Sequence, residues 1–309
     1  MMKKRHFTSL AFALITMLVS VTAMAQDTVL KPFVLGSISE GDLAAKINET
    51  KAALVGQGFT IVGEYTPYAD THVIIVTDDE LKRIAAKNER GGYIAPQRVS
   101  VTSSGGKVQV AYANPIYLQY GYHIQDSLQP IADRLAKAVG RQQEFGAKGL
   151  TPKELGKYHY AFGMEYFDDT YHLADFGNYQ KAVATVEKGL ASNNQGIRKL
   201  YRIDIPGTQM TVFGVSMKAP EGGNTAMDDK FQMSEVDYKD LRQTAYLPYE
   251  VLVDGGSVEA LHMRFRMALY FPDLKMMGDH SFMNLMRSPD AIHKALTIAV
   301  GGKWDESVF

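Results

Sequence analysis

The strongest constraint on this chain is that it repeats itself. Ile94-Ala95-Pro96-Gln97-Arg98-Val99-Ser100-Val101 leads through Gly105-Gly106 to Val108-Gln109-Val110, and Tyr246-Leu247-Pro248-Tyr249-Glu250-Val251-Leu252-Val253 leads through Gly255-Gly256 to Val258-Glu259-Ala260. Each run is a proline, alternating valines, a turning glycine pair and a return strand, the pattern of a β-hairpin. Proline suits the first strand position because it has no N–H to give the ladder. Upstream, a helical segment from about Asp42 to Val55 precedes strands at Phe59–Val62 and His72–Val76. The second half offers Tyr179–Leu190, then Lys199–Ile203 and Met210–Val215. Downstream, Gly121-Tyr122-His123 precedes a helix with Pro130 in its first turn, ending at Gly140. Gly278-Asp279-His280 likewise precedes a helix around Pro289, ending at Gly301. Proline near a helix start and glycine at its end follow the capping asymmetry. Four matches in one order point to a tandem duplication.

Each copy is expected to read strand, helix, two strands, a short helix (Asp78–Lys87; Ser234–Gln243), a hairpin and a closing helix. Strands that alternate apolar and polar residues have one wet face, so the expected class is α+β, an antiparallel sheet with helices on its other face. The division follows: a first repeat over 26–145, an aromatic-rich linker and opening segment over 146–178, and a second repeat over 179–309.

The N-terminus carries a separate signal. Lys3, Lys4 and Arg5 precede an apolar stretch from Phe7 to Thr22, and Ala23-Met24-Ala25 supplies a small-x-small site. This is the pattern of a secretory signal peptide over residues 1–25, cleaved after Ala25, with an uncleaved anchor helix as the alternative. The periplasm is the expected location. No later run reaches the length of a membrane span. The 33 Lys and Arg balance 34 Asp and Glu, so there is no basic footprint for nucleic acid. Cysteine is absent. That excludes disulfides, thiolate nucleophiles, iron–sulfur clusters, c-type haem attachment and a lipoprotein anchor.

A helix, two strands and a [Leu/Ile]-x-Pro-x-x-Val-x-Val hairpin with a glycine turn resemble the bacterial and archaeal family known as domain of unknown function 302. Its members are small α+β domains similar to the TATA-binding-protein fold, commonly single-copy. The resemblance covers most of the mature chain as two copies, and Tyr-Phe-Pro-Asp-Leu-Lys-Met-Met-Gly-Asp-His-Ser-Phe-Met (270–283) is its most family-like stretch. It implies two TATA-binding-protein-like units, and duplicated units of this kind pack as a pseudo-dimer. Family members often carry a cysteine after the hairpin proline. Gln97 and Tyr249 stand there in this chain, so thiol chemistry does not carry over.

Three groups of residues bear on chemistry. The repeated Gly-x-His, at His123 and His280, places an imidazole before the closing helix of each copy. Facing one cleft across a pseudo-two-fold axis, such a pair is a cofactor-binding candidate able to ligate zinc, copper or haem iron. The alternative is that each histidine caps its helix. Methionine is the second group: Met263, Met267, Met276, Met277, Met283 and Met286 cluster near His262 and His280. With cysteine excluded, thioethers are the only sulfur ligands for Cu(I), and His280, Met276, Met277 and Met283 form the candidate metal set. Against this, Met263 and Met267 are expected on one face of a strand, and Met283 and Met286 lie one helical turn apart, which is the spacing of core residues.

The third group runs from Tyr158 to Tyr179, where eight aromatics interleave with Glu165, Asp168, Asp169 and His172. Helical spacing would gather those four on one face as metal or acid/base groups, whereas the aromatic density favours a seam between the copies. No phosphate-binding glycine loop, His-Glu-x-x-His or Gly-x-Ser-x-Gly is present. The leading expectation is therefore a non-enzymatic periplasmic binding or accessory protein, monomeric or homodimeric, holding a small apolar ligand or a metal-bearing cofactor in a cleft. The alternatives are a metal- or haem-dependent redox accessory or enzyme using His280 and nearby methionines, and a protein-interaction module without ligand.

Overall fold

The computed structural model describes residues 28–306; the expected signal peptide lies outside them. Strand β1 (Phe33–Ser39) leads to helix α1 (Leu43–Gly56), whose start is set by the Asp42 carboxylate accepting from the Ala45 N–H at 2.8 Å. Strands β2 (Thr60–Tyr65) and β3 (Thr71–Thr77), helix α2 (Asp79–Ala85) and a 3₁₀ turn (Gly91–Ile94) come next. The hairpin β4 (Gln97–Ser104) and β5 (Lys107–Ala113), helices α3 (Pro115–Gly121) and α4 (Gln129–Val139), strand β6 (Gln143–Phe145) and the short α5 (Pro152–Leu155) follow.

The chain then runs through β7 (Thr170–Asp175), α6 (Tyr179–Ala191), β8 (Ile197–Ile205), β9 (Met210–Met217), α7 (Asp229–Val236) and a 3₁₀ turn (Thr244–Tyr246). It closes with the hairpin β10 (Tyr249–Asp254) and β11 (Ser257–Leu261), then α8 (Met263–Tyr270) and α9 (Ser288–Ala299). The result is an α+β fold with two antiparallel sheets, β2-β3-β4-β5-β1-β6 and β7-β11-β10-β9-β8. Read in chain order, the second sheet repeats the strand order of the first, which adds β6 at one edge. Helices α1 and α4 pack on each other and on the first sheet, and α6 and α9 do the same on the second.

Three expectations need correction. The central strands have no wet face: Gln97 to Thr102 in β4 and Tyr249 to Val253 in β10 are buried throughout. Alternation there separates an apolar face under the helices from a mixed one under the other half. A further helix follows each hairpin, and Met263 and Met267 lie on α8, not on a strand. Leu261, Met263, Phe265, Met267 and Leu269 alternate like a strand, but seven of the eight α8 residues are buried, so no helical stripe of polar residues marks it. The short helix expected at Ser234–Gln243 lies earlier, at Asp229–Val236. Asp228 stands at its N-cap but makes no side-chain cap hydrogen bond, whereas the Asp78 carboxylate accepts from the Leu81 N–H at the start of α2.

The halves meet through reciprocal contacts. In one direction the Thr244–Tyr246 turn lies on β4: Thr102 Oγ1 donates to Thr244 Oγ1 at 3.4 Å and Arg98 Nη1 to the Tyr246 carbonyl at 3.3 Å. In the other, the Gly92 N–H of the Gly91–Ile94 turn points at Met210 Sδ on β9 at 3.0 Å. Arg90 Nε donates to Glu259 Oε1 at 3.0 Å, and its counterpart Arg242 donates its backbone N–H to Gln109 Oε1 at 3.0 Å. Gln109 and Glu259 are the same residue of the two hairpins.

Candidate functional site

Where the halves touch, the core is charged. Arg98 and Glu250 both follow the residue after the hairpin proline, and they pair with each other, Arg98 Nη1 lying 3.5 Å from Glu250 Oε1 with side-chain exposures of 0% and 2%. Arg266 of α8, also fully buried, approaches the other carboxylate oxygen at 3.6 Å and donates to the Tyr246 and Pro248 carbonyls. Its guanidinium lies 4.0 Å from the Tyr246 ring centroid and 4.6 Å from that of Tyr249. Tyr201 Oη donates to Glu250 Oε1 at 3.4 Å, and the Tyr122 and Tyr270 hydroxyls meet at 3.4 Å. Two guanidiniums share one carboxylate beside Tyr faces and backbone carbonyls, and Arg98 Nε and Nη2 and Arg266 Nε and Nη1 are buried without a hydrogen-bond partner. Arg98, Glu250, Arg266, Tyr201, Tyr246, Tyr249 and Tyr270 are all buried there.

A second buried polar group sits beside it. Tyr65 Oη of the first half donates to Asp229 Oδ2 of the second at 3.3 Å, and the Met217 N–H donates to the same oxygen at 3.0 Å. Burial pushes the Asp229 carboxyl up to about 7, against those hydrogen bonds and the nearby Arg266 charge. Tyr68 Oη donates likewise to Asp237 Oδ2 at 3.2 Å, and burial raises that carboxyl too.

The two histidines do not share a cleft. His123 is exposed, edge-on to Phe167 at 5.1 Å, in a hollow lined by Lys87, Glu89, Arg90, Gln125 and Asp168. His280 is half-buried and stacks on Tyr238 at 3.8 Å, in a hollow with Lys239, Gln243, Asp273 and Lys275. Nor do they occupy matching positions. Asn114 caps α3 and His262 caps α8, each accepting from the N–H two residues on. Counting from those caps, Tyr122 matches Tyr270 and His123 matches Phe271. His280 falls farther along, in a loop (271–287) much longer than its counterpart (122–128). Both histidines adopt left-handed backbone, φ 55° and 53°; of the glycines two residues before them, Gly278 has positive φ as well, at 98°, whereas Gly121 ends α3.

The methionines divide. Met263 and Met267 are buried on α8, whereas Met276, Met277, Met283 and Met286 are 40%, 74%, 48% and 55% exposed. The expected core placement of Met283 and Met286 is thus overturned: in the 3₁₀ turn Phe282–Leu285 the inward positions are taken by Phe282 and Leu285. Beneath the loop, Tyr160, Met164, Met267, Phe271, Leu274 and Phe282 line an apolar pocket with room for little more than one water.

Glu165, Asp168, Asp169 and His172 are not gathered. Glu165 accepts from Arg264 Nη1 at 2.8 Å, Asp169 caps the Tyr166 N–H, His172 pairs with Asp175 at 3.2 Å, and Asp168 lines the His123 hollow. The segment is a seam in part: Phe167 lies between Tyr122 of the first half at 5.4 Å and Phe265 of the second at 5.9 Å, while Tyr158 and Tyr160 donate to the Ala268 and Leu274 carbonyls and Phe162 is fully exposed. An unanticipated aromatic run crosses the second half. Tyr171 lies between His262 at 4.2 Å and His293 at 4.3 Å. Burial, with the Arg264 charge and His293 beside it, pushes His262 down to about 3, so it stays neutral. Among the described residues no group of three or more His, Asp or Glu is placed to hold a metal ion, and no helix is long and apolar enough to cross a membrane.

In comparisons with known proteins, no family model, curated protein or solved structure matches the chain.

Proposed function

We propose that the protein is a non-enzymatic periplasmic binding or accessory protein, built from two tandem TATA-binding-protein-like copies fused as a pseudo-dimer, whose binding element is the loop 271–287 of the second copy. The pseudo-dimer is supported by the repeated strand order and by contacts that run both ways between matching residues. The observation that carries the binding reading is the contrast between a filled interface and this loop. The loop is long only in the second half, and there it turns four methionines to solvent.

A protein that used the cleft between copies would leave that cleft open. Here Arg98, Glu250, Arg266 and their tyrosines fill it. The charged hollow around His280 also suits an apolar macrocycle poorly, which favours a compact ligand over haem. The test is native mass spectrometry of the full chain purified from periplasm, beside a variant carrying Gln at positions 276, 277, 283 and 286. A bound mass present in the first and lost from the second is the expected result. A bound mass retained by the Gln variant, or none in either, overturns the reading.

A further inference from the structure

We propose that the hollow beside His280 binds a single phosphate-class oxyanion, at a site separate from the methionine face of the loop. The segment after α7 contributes Lys239 and Gln243 to this hollow, the loop contributes Lys275 and His280, and Gly146 reaches it from the first half. No methionine lines it. Its volume is about 100 Å³, which holds several waters or one four-oxygen ion. That is well below the roughly 300–1,000 Å³ of pockets that take larger ligands.

The chemistry of the hollow is that of donors without acceptors. Among the described residues neither the Lys239 nor the Lys275 ammonium has an ion pair or hydrogen bond. His280 Nδ1 is buried with no hydrogen-bond partner, on a ring held against Tyr238 at 3.8 Å. Gln243 is 2% exposed, and its Oε1 has no partner either; a half-turn of the amide presents the NH₂ at the same place. Buried polar groups are costly to leave unpaired, and an anion accepting from them removes that cost. The carboxylate that lines the hollow, Asp273, already accepts from the Lys148 N–H at 2.7 Å, so two ammoniums outweigh one carboxylate. Phe271 and Leu274 add apolar walls that strengthen the attraction. Two ammoniums, an imidazole and an amide match the four oxygens of a phosphate, whereas a lone carboxylate has only two oxygens to offer them.

The experiment is calorimetric titration of the dialysed full chain with inorganic phosphate at low ionic strength. One equivalent is expected to bind, more tightly than acetate. Lys239→Gln and Lys275→Gln should each weaken binding by about tenfold or more, the size of one charge-assisted hydrogen bond. His280→Gly keeps the left-handed backbone and should weaken it about threefold or more. Asp273→Asn removes the opposing charge and should tighten it, while Lys107→Gln in the β4–β5 hairpin should leave it unchanged. Absence of saturable binding, acetate bound as tightly as phosphate, or losses at Lys239 and Lys275 no larger than at Lys107 overturns the site. Weaker binding in Asp273→Asn overturns its electrostatics, and an unchanged affinity in His280→Gly overturns the place of the imidazole. Phenyl phosphate bound more tightly than phosphate identifies a phosphoryl group carried on a larger molecule; the reverse identifies the free ion. The variant with Gln at positions 276, 277, 283 and 286 should bind phosphate as the wild type does, and a loss there overturns the separation of the two sites. Phosphate is recognised by its mass, so this site and the methionine face stand or fall separately.

Discussion

The two halves use one order of elements to opposite ends. Asp79 opens α2 in full solvent beside Lys82, while its counterpart Asp229 opens α7 fully buried against Tyr65 of the other half. Arg98 and Glu250 stand at the same hairpin position with opposite charge. Leu118 and Arg266 stand at the same place in α3 and α8, one apolar and one a guanidinium. The α3–α4 connection is short, whereas the α8–α9 connection extends into the methionine loop. In a symmetric pair of identical copies, residues on the axis would meet their own kind, arginine against arginine. In this chain the two positions carry opposite charge and form an ion pair.

The largest effect should come from removing the carboxylate that two arginines share. Glu250→Gln leaves both guanidiniums buried without a counterion and is expected to lose about 3–5 kcal/mol in urea unfolding. Arg98→Met should lose clearly less, because Glu250 keeps Arg266. Equal losses would show that Arg266 contributes nothing to the pair and would break the contrast between α3 and α8.

The aspartates predict opposite pH behaviour. Asp229 is raised from 3.8 to about 7 in the fold, so between those values the native state holds a proton that the unfolded chain has released. Its contribution is fully present below about pH 4 and is lost as pH rises to about 7, by up to a few kcal/mol. Asp229→Asn should flatten that part of the stability profile. Lys82 lowers the Asp79 carboxyl, the opposite sign, but full exposure makes the effect small. Asp79→Asn should leave the profile nearly unchanged, and a profile that Asp229→Asn does not alter would remove the distinction between the two.

A smaller loss is expected at Gly92, whose counterpart is Thr244. A Cβ at Gly92 would lie 2.4 Å from Leu252 Cδ1, so Gly92→Ala should cost about 1–3 kcal/mol as Leu252 shifts. The smallest effect belongs to the loop. Leu at Met276, Met283 and Met286 should change stability by less than about 0.5 kcal/mol because those side chains face solvent. Unfolding in urea would read both.

Much of this architecture is legible in local sequence. The hairpins, the helices at α1, α4, α6 and α9, and the strand pairs β2–β3 and β8–β9 have glycine turns, caps or proline starts that act within a few residues. Helix α8 is not legible, since its burial on all sides removes the polar stripe that would reveal a helical period. The paired histidines looked equivalent because both follow Gly-x, yet the cap residues Asn114 and His262 set the register and put Phe271 opposite His123. The methionines were readable as sulfur but not as surface. Spacing one turn apart marks a face without saying whether that face is covered.

The sequence by itself determined that two segments share one order of proline, valines and turning glycines, that the class is α+β and that there is no thiol, because hairpins, caps and composition are local properties. The tertiary structure alone decided that Arg98 meets Glu250, that Asp229 is buried where Asp79 is not, and that four methionines face solvent. Those outcomes depend on which surface each half presents to the other, and burial between residues about 150 positions apart leaves no mark on the pattern of either copy.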